Sequence, residues 1–266
     1  MGWTRNPSTF WGGVLVLVGL LFLLANTGVL ANLNWDIVWP VLLIALGVWL
    51  ILPRLGVTGP ITGVDAAEPR EGLEKARLEI AAGGGRVEVR SAALGDQLYR
   101  AHIDHGGSTP EIKLDRATGT VRMSQKFDWL PGMGRFRLDA QLSDALPWEV
   151  VCNTGAIRGD FDLSTASVSR IEFSTGASQI TLNLGLPKGV VPIKVQGGAL
   201  TVDLTRPTGA AVRVQASGAA MHLSADGTRQ DTIGNIDWRS SGFDGAADRY
   251  ELSVAGAALN LNVRQR

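Results

Sequence analysis

The chain holds three histidines and one cysteine in 266 residues, so the search for catalytic or metal chemistry is short. His102-Ile103-Asp104-His105 has the donor types of a metal site. On a strand, however, His102 and Asp104 point to one side and His105 to the other, and the segment reads as exposed strand residues. Gly83-Gly84-Gly85 lacks the Lys-Ser/Thr that follows a phosphate loop and suits a tight corner instead. His222 has no nucleophile or acid spaced to join it. Asp160 and Asp162 share one strand face, where solvation explains them better than acid–base catalysis. Cys152, standing alone, excludes an internal disulfide and a cysteine-based zinc cluster. No catalytic residue, metal or cofactor is expected, and the chain is not expected to be an enzyme.

The elements that carry these residues repeat. EVVCNTGAIRGDFDL, IEFSTGASQITLNL, IKVQGGALTVDL, VRVQASGAAMHLS and YELSVAGAALNLNV share a plan of strand, small residues with Gly-Ala, strand. The glycines fall at 155, 176, 198, 218 and 256, a step of about 20 to 22 residues until one longer interval, which marks a stacked array. A corner lying under the corner of its neighbour favours residues with little or no side chain. Alternation in the second strands puts Ile180, Leu182, Leu184, Leu200, Val202, Leu204, Leu259, Leu261 and Val263 on a core face. Thr181, Asn183, Thr201, Asp203, Asn260 and Asn262 then face water. The interval before Gly256 reads as a hairpin or loop leaving the stack. An antiparallel β-meander is the alternative.

A first unit, ARLEIAAGGGRVEVR, occupies 76–90, and 91–148 departs from the plan. It reads as inserted hairpins, one turning at Ala117-Thr118-Gly119. Within DWLPGMGRF, the apolar Trp129, Leu130, Met133 and Phe136 sit among Pro131, Gly132 and Gly134. This tip is a candidate contact with the membrane surface or a partner, with Arg135 and Arg137 toward lipid phosphates. A lid folded over the end of the stack is the other reading.

Residues 53–75, punctuated by Pro53, Gly56, Gly59, Pro60, Gly63, Pro69 and Gly72, read as a linker. Ahead of it, only Asp36 is charged between Arg5 and Arg54. Two apolar runs, 11–30 and 35–52, are each close to the roughly 20 residues that a membrane-crossing helix needs. Residues 1–52 are therefore expected to be a two-helix transmembrane hairpin, retained rather than cleaved after Val29-Leu30-Ala31. Trp11, Trp35, Trp39 and Trp49 lie near the ends of the runs, where indoles settle at the headgroups. Gly12, Gly19 and Gly47 allow close helix packing. Arg5 and Arg54 flank the pair on one side, which favours the cytoplasm for both termini.

Ala25-Asn26-Thr27-Gly28-Val29-Leu30, a short loop, and Trp39-Pro40 with Gly47 seven residues on resemble the transmembrane region of the bacterial LiaI/LiaF-like family. The resemblance implies an inner-membrane protein tied to cell-envelope stress, in some members an inhibitor of a partner sensor histidine kinase.

The expected fold class is thus a membrane-anchored all-β protein, with the hairpin at 1–52, the linker at 53–75 and the β-repeat domain at 76–266. Lys plus Arg and Asp plus Glu both number 25, with no basic stripe, which argues against nucleic acid. The expected partners are the lipid bilayer and another membrane protein such as a sensor kinase, with association between copies left open. Two functions are compatible with this organisation: a regulator or scaffold in envelope stress, on the cytoplasmic side of the inner membrane, or an extracytoplasmic adhesion or carbohydrate-binding module.

Overall fold

Alternation of apolar and polar residues runs through nearly every segment after residue 75, and each such segment is a strand whose apolar face is buried. The computed structural model describes residues 62–106, 109–125 and 136–266. The chain divides into two compact units, Met1–Val57 and Thr58–Arg266, and all of the described residues belong to the second.

The strands of this unit are β1 (Thr62–Pro69), β2 (Ala76–Ala92), β3 (Gln97–His105), β4 (Glu111–Asp115), β5 (Thr120–Ser124), β6 (Phe136–Ser143), β7 (Trp148–Leu163) and β8 (Val168–Thr175). They continue as β9 (Ala177–Leu184), β10 (Val190–Gln196), β11 (Ala199–Arg206), β12 (Ala211–Ala225), β13 (Thr228–Arg239), β14 (Arg249–Ala255) and β15 (Ala258–Gln265). Each rung of the stack is one long strand, or two short ones, bent at a small-residue corner. The halves before the corners form one parallel ladder: β5, β2, β7, β8, β10, β14, β12. The halves after them form a second: β6, β2, β7, β9, β11, β15, β12. The core lies between the two ladders. Phe161 from the second meets Phe173 from the first edge to face, ring centroids 5.0 Å apart.

Steric closeness dictates the corners. A Cβ on Gly176 would lie 2.6 Å from the carbonyl oxygen of Gly155, and one on Gly256 would lie 2.6 Å from that of Gly197. The same closeness lets backbone bonds run from corner to corner, as from Gly176 N–H to Gly155 O (2.6 Å) and from Ala257 N–H to Gly198 O (2.8 Å).

The expected fold class is corrected to all-β. The described residues contain no α-helix, and no helix among them is long and apolar enough to cross a membrane. The two-helix hairpin expected over 1–52 lies outside the described residues, as do Trp11, Trp35, Trp39, Trp49, Gly12, Gly19 and Gly47. The described fold takes its cohesion from period-two alternation and backbone ladders.

Within the β-domain, the rungs are not stacked in chain order. The last rung, β14–β15, sits between β10–β11 and β12. The long interval before Gly256 is explained by β13, which runs antiparallel along the outer edge of β12 and ends the stack. The segment 91–148 is also not simply inserted. β5 and β6 run parallel to the two halves of β2 and extend the stack, leaving β3 and β4 as its antiparallel additions. Antiparallel pairing is confined to β1–β3, β3–β6, β4–β5 and β12–β13, so the meander alternative describes only the ends. Finally, Thr62–Pro69, read as linker, is the strand β1 against β3, with mostly exposed side chains that give no apolar pattern.

Candidate functional site

The outward faces of the two ladders differ in chemistry. On the first, opposite charges interlock across strands. Arg77 bonds Glu79 (2.9 Å) and Glu149 (3.1 Å), Arg122 bonds Glu79 (2.8 Å), and Arg170 pairs with Glu149 and Glu172. Burial would raise the Glu79 carboxyl, but Arg122 and Arg77 outweigh it and hold the group below its ordinary value. At the far end of this face Arg213 grips Asp237 (2.8 Å).

On the second ladder, register places mostly uncharged polar groups, with Asp203 and Arg264 among them, in rows across β9, β11 and β15. Gln179, Thr201 and Asn260 form one row; Thr181, Asp203 and Asn262 the next; Asn183, Thr205 and Arg264 the third. Asn262 donates to Asp203 (2.8 Å), and Asn183 donates to Asp162 of β7 (3.0 Å). The hydroxyls of Thr181, Thr201 and Thr205 have no hydrogen-bond partner among the described residues and are unspent on the outward face. Neighbouring strands stand about 4.8 Å apart, which makes this face a regular lattice of donors and acceptors. Near its β6 edge, Glu88 is 6% exposed and is held by Arg86 (2.7 Å), Arg90 (3.0 Å) and Arg137 (3.2 Å). Sequence reading found the Thr/Asn rows through alternation. It missed Glu88, whose three partners come from two strands; only the Arg86-Glu88-Arg90 spacing hinted at it.

The residues whose types could do catalytic or metal chemistry are separated by the fold. His102 Nδ1 lies 2.7 Å from Asp65 of β1, and Nε2 lies 3.2 Å from Asp104. Both ring nitrogens donate only in the imidazolium, so Asp65 first and Asp104 second raise the His102 pKa. His105 is on the other side, buried, its Nδ1 without a partner among the described residues. No group of three or more His, Cys, Asp or Glu there is placed to hold a metal ion. Gly83-Gly84-Gly85 is a corner; a Cβ on Gly84 would lie 2.8 Å from Ala156 O. His222 contacts Asp231 of β13 across an exposed face. Asp162 accepts from Asn183 and from Ser164 N–H (3.2 Å). Cys152 is buried, and desolvation pushes its thiol far up, which removes it as a nucleophile.

Of the four apolar residues assigned to a contact tip, Trp129, Leu130 and Met133 lie outside the described residues. Phe136 is corrected: it begins β6, is 3% exposed and belongs to the core, because alternation along β6 turns it inward with Leu138 and Ala140. Arg137 points out, toward Glu88. An open hollow of about 500 Å³ between Gly72–Lys75, Ala117–Gly119 and Pro147 brings no catalytic pair together.

Two facing parallel ladders with outward polar faces define a β-repeat domain. The chain belongs to the toast_rack family: residues 59–205 match the N-terminal domain of toast_rack, DUF2154. Residues 9–51 match the LiaI-LiaF-like transmembrane region. Together the two matches fit a LiaF-like protein with a C-terminal β-repeat domain. No curated protein matches the chain. Its fold is similar to that of a crystal structure from Clostridium sporogenes ATCC 15579, described as a candidate cell adhesion protein. There the TM-score is 0.63 and the identity 16%, over 78% of this chain and 100% of that one. A candidate adhesin from Bacteroides fragilis NCTC 9343 aligns at 12% identity over 77% of this chain and 98% of its own. Its TM-score of 0.28 carries no argument.

Proposed function

We propose that this is a non-catalytic, membrane-associated protein of the bacterial envelope-stress response, acting through protein–protein contacts to restrain a sensor histidine kinase from the cytoplasmic side. One observation carries the reading. A segment matching the LiaI-LiaF-like transmembrane region precedes a β-stack whose described residues supply surfaces and ion pairs but no nucleophile–base pair or metal cluster. Deleting the chain from its host should raise kinase-dependent transcription before any cell-wall stress is applied, and re-expression should lower it again. Unchanged transcription in the deletion strain sinks the proposal.

A second reading, adhesion or glycan binding outside the cell, draws support from the unspent Thr181, Thr201 and Thr205 hydroxyls and from the description attached to the Clostridium fold neighbour. A reporter fused after Arg266 separates the two. Activity confined to a cytoplasm-dependent reporter supports the kinase reading, and activity confined to an export-dependent one supports adhesion.

A further inference from the structure

We propose that the outer edge of β13 is a self-association surface, through which two copies of this chain join their stacks end to end by antiparallel pairing of Thr228–Arg239 centred on Ile233. β13 pairs with β12 along one edge and with no other described strand along the other. The remaining free edges are less suited. β4 is five residues long and carries Lys113, and β1 ends at Pro69. β13 has twelve residues with no proline and no lysine. Along the second ladder, β13 and β1, the first described strand, lie at opposite ends.

Ile233 is 81% exposed, a large apolar side chain set where β13 rounds the corner of the stack. On one side of it residues 228–232 flank Met221–Ala225 of β12; on the other, 235–239 flank Arg213–Ser217. A two-fold axis through this corner lays each half of β13 on the opposite half of a second copy. Charge then selects the register. Centred on Ile233, the pairing sets Arg229 opposite the second copy's Asp237 twice over, Asp231 opposite Asn235, and Ile233 opposite its own copy. Centred on Gly234, it sets Arg229 against Arg239 and Asp231 against Asp237, so like charges oppose. The Arg229 guanidinium has no ion pair or hydrogen bond among the described residues, so its charge is available to a partner. A second copy is the occupant this pattern fits, because the edge is complementary to itself.

The chain's one cysteine is buried, so I233C supplies the sole exposed thiol. In full-length protein held in detergent micelles, mild oxidation should give a disulfide-linked dimer with I233C. D231C or N235C alone should give little, since each sits four positions from its own copy, well beyond the roughly 7 Å Cα separation a disulfide tolerates. Mixed D231C and N235C chains should cross-link to each other. In the I233C background, R229D should cut the cross-linked fraction about tenfold, because it sets a carboxylate opposite the second copy's Asp237, and R229K should keep most of it. The proposal is overturned if folded I233C stays monomeric, if D231C alone links as well as I233C, or if R229D leaves the I233C cross-linked fraction unchanged.

Discussion

A methyl group on Gly176 would sit 2.6 Å from Gly155 O, and the obstacle is backbone that is itself hydrogen-bonded to Gly176 N–H. Neither rung can yield without breaking the corner bonds, so Gly176→Ala should destabilise the domain by about 3 kcal/mol, read as a loss in a denaturant midpoint. Gly245→Ala, with nothing within 4 Å of its would-be Cβ, should change stability by less than about 0.5 kcal/mol. An equal effect at both positions would remove the steric account of the corners. His102 permits a different test. Bonding to Asp65 and then Asp104 raises its pKa, so the ring's contribution is fully present below the unfolded value of about 6.5 and is lost as pH rises through the folded value. Asp139 and Arg137 of β6 and Arg100 of β3 share this face, by register and alternation. Amide exchange in β1, corrected for its intrinsic pH dependence, should therefore quicken as pH rises above about 6.5 in the wild type but not in His102→Gln. The histidine was legible in the sequence as an exposed strand residue. Asp65 was not, because it sits in a stretch whose composition reads as linker.

The element whose position matters most is the last rung. β14 pairs in parallel with β10 on one side and β12 on the other, and β15 does the same with β11 and β12. Its end is clasped. Arg206, 1% exposed, reaches Asp226 across the end of β15, whose Gln265 also donates to Asp226 (3.3 Å). Removing 249–266 would therefore break the stack between β10–β11 and β12, whereas loss of a terminal repeat merely shortens an array. It would also strip out the buried Tyr250, Leu252, Val254, Leu259, Leu261 and Val263. At about 2 kcal/mol each, that approaches the whole net stability of a domain. A chain ending at Asp248 should fail to show a cooperative unfolding transition; a stable, shortened domain would contradict the intercalated order. The strands and corners of each rung were readable in the sequence, because alternation and Gly-Ala pairs are local. The order was not, since all rungs share one plan and nothing in a rung's own residues names its neighbour. The Thr/Asn rows were half legible for the same reason: each row member is visible in its strand, while the contact of Asp203 with Asn262 depends on where the last rung inserts.

At the scale of the whole chain, polarity is divided more sharply than the balanced composition suggests. Only Arg5, Asp36 and Arg54 of the 50 charged residues precede residue 64, and the match to the LiaI-LiaF-like transmembrane region falls in that sparsely charged stretch. The β-unit, Thr58–Arg266, has its own continuous core and lacks any helix suited to crossing a membrane among its described residues. Its two ladder faces are covered by ion pairs and hydrogen-bonding groups, which favour water over lipid. If membrane association resides in the first unit, a chain beginning at Thr58 should leave the membrane fraction. The full-length chain should resist extraction by alkaline carbonate. The shortened chain should keep its strand-rich circular dichroism and a single unfolding transition, since no described strand begins before Thr62. A shortened chain that is folded yet still pellets with membranes would shift the attachment to the β-unit itself, where residues 126–135, with Trp129, Leu130 and Met133, would be the first segment to mutate.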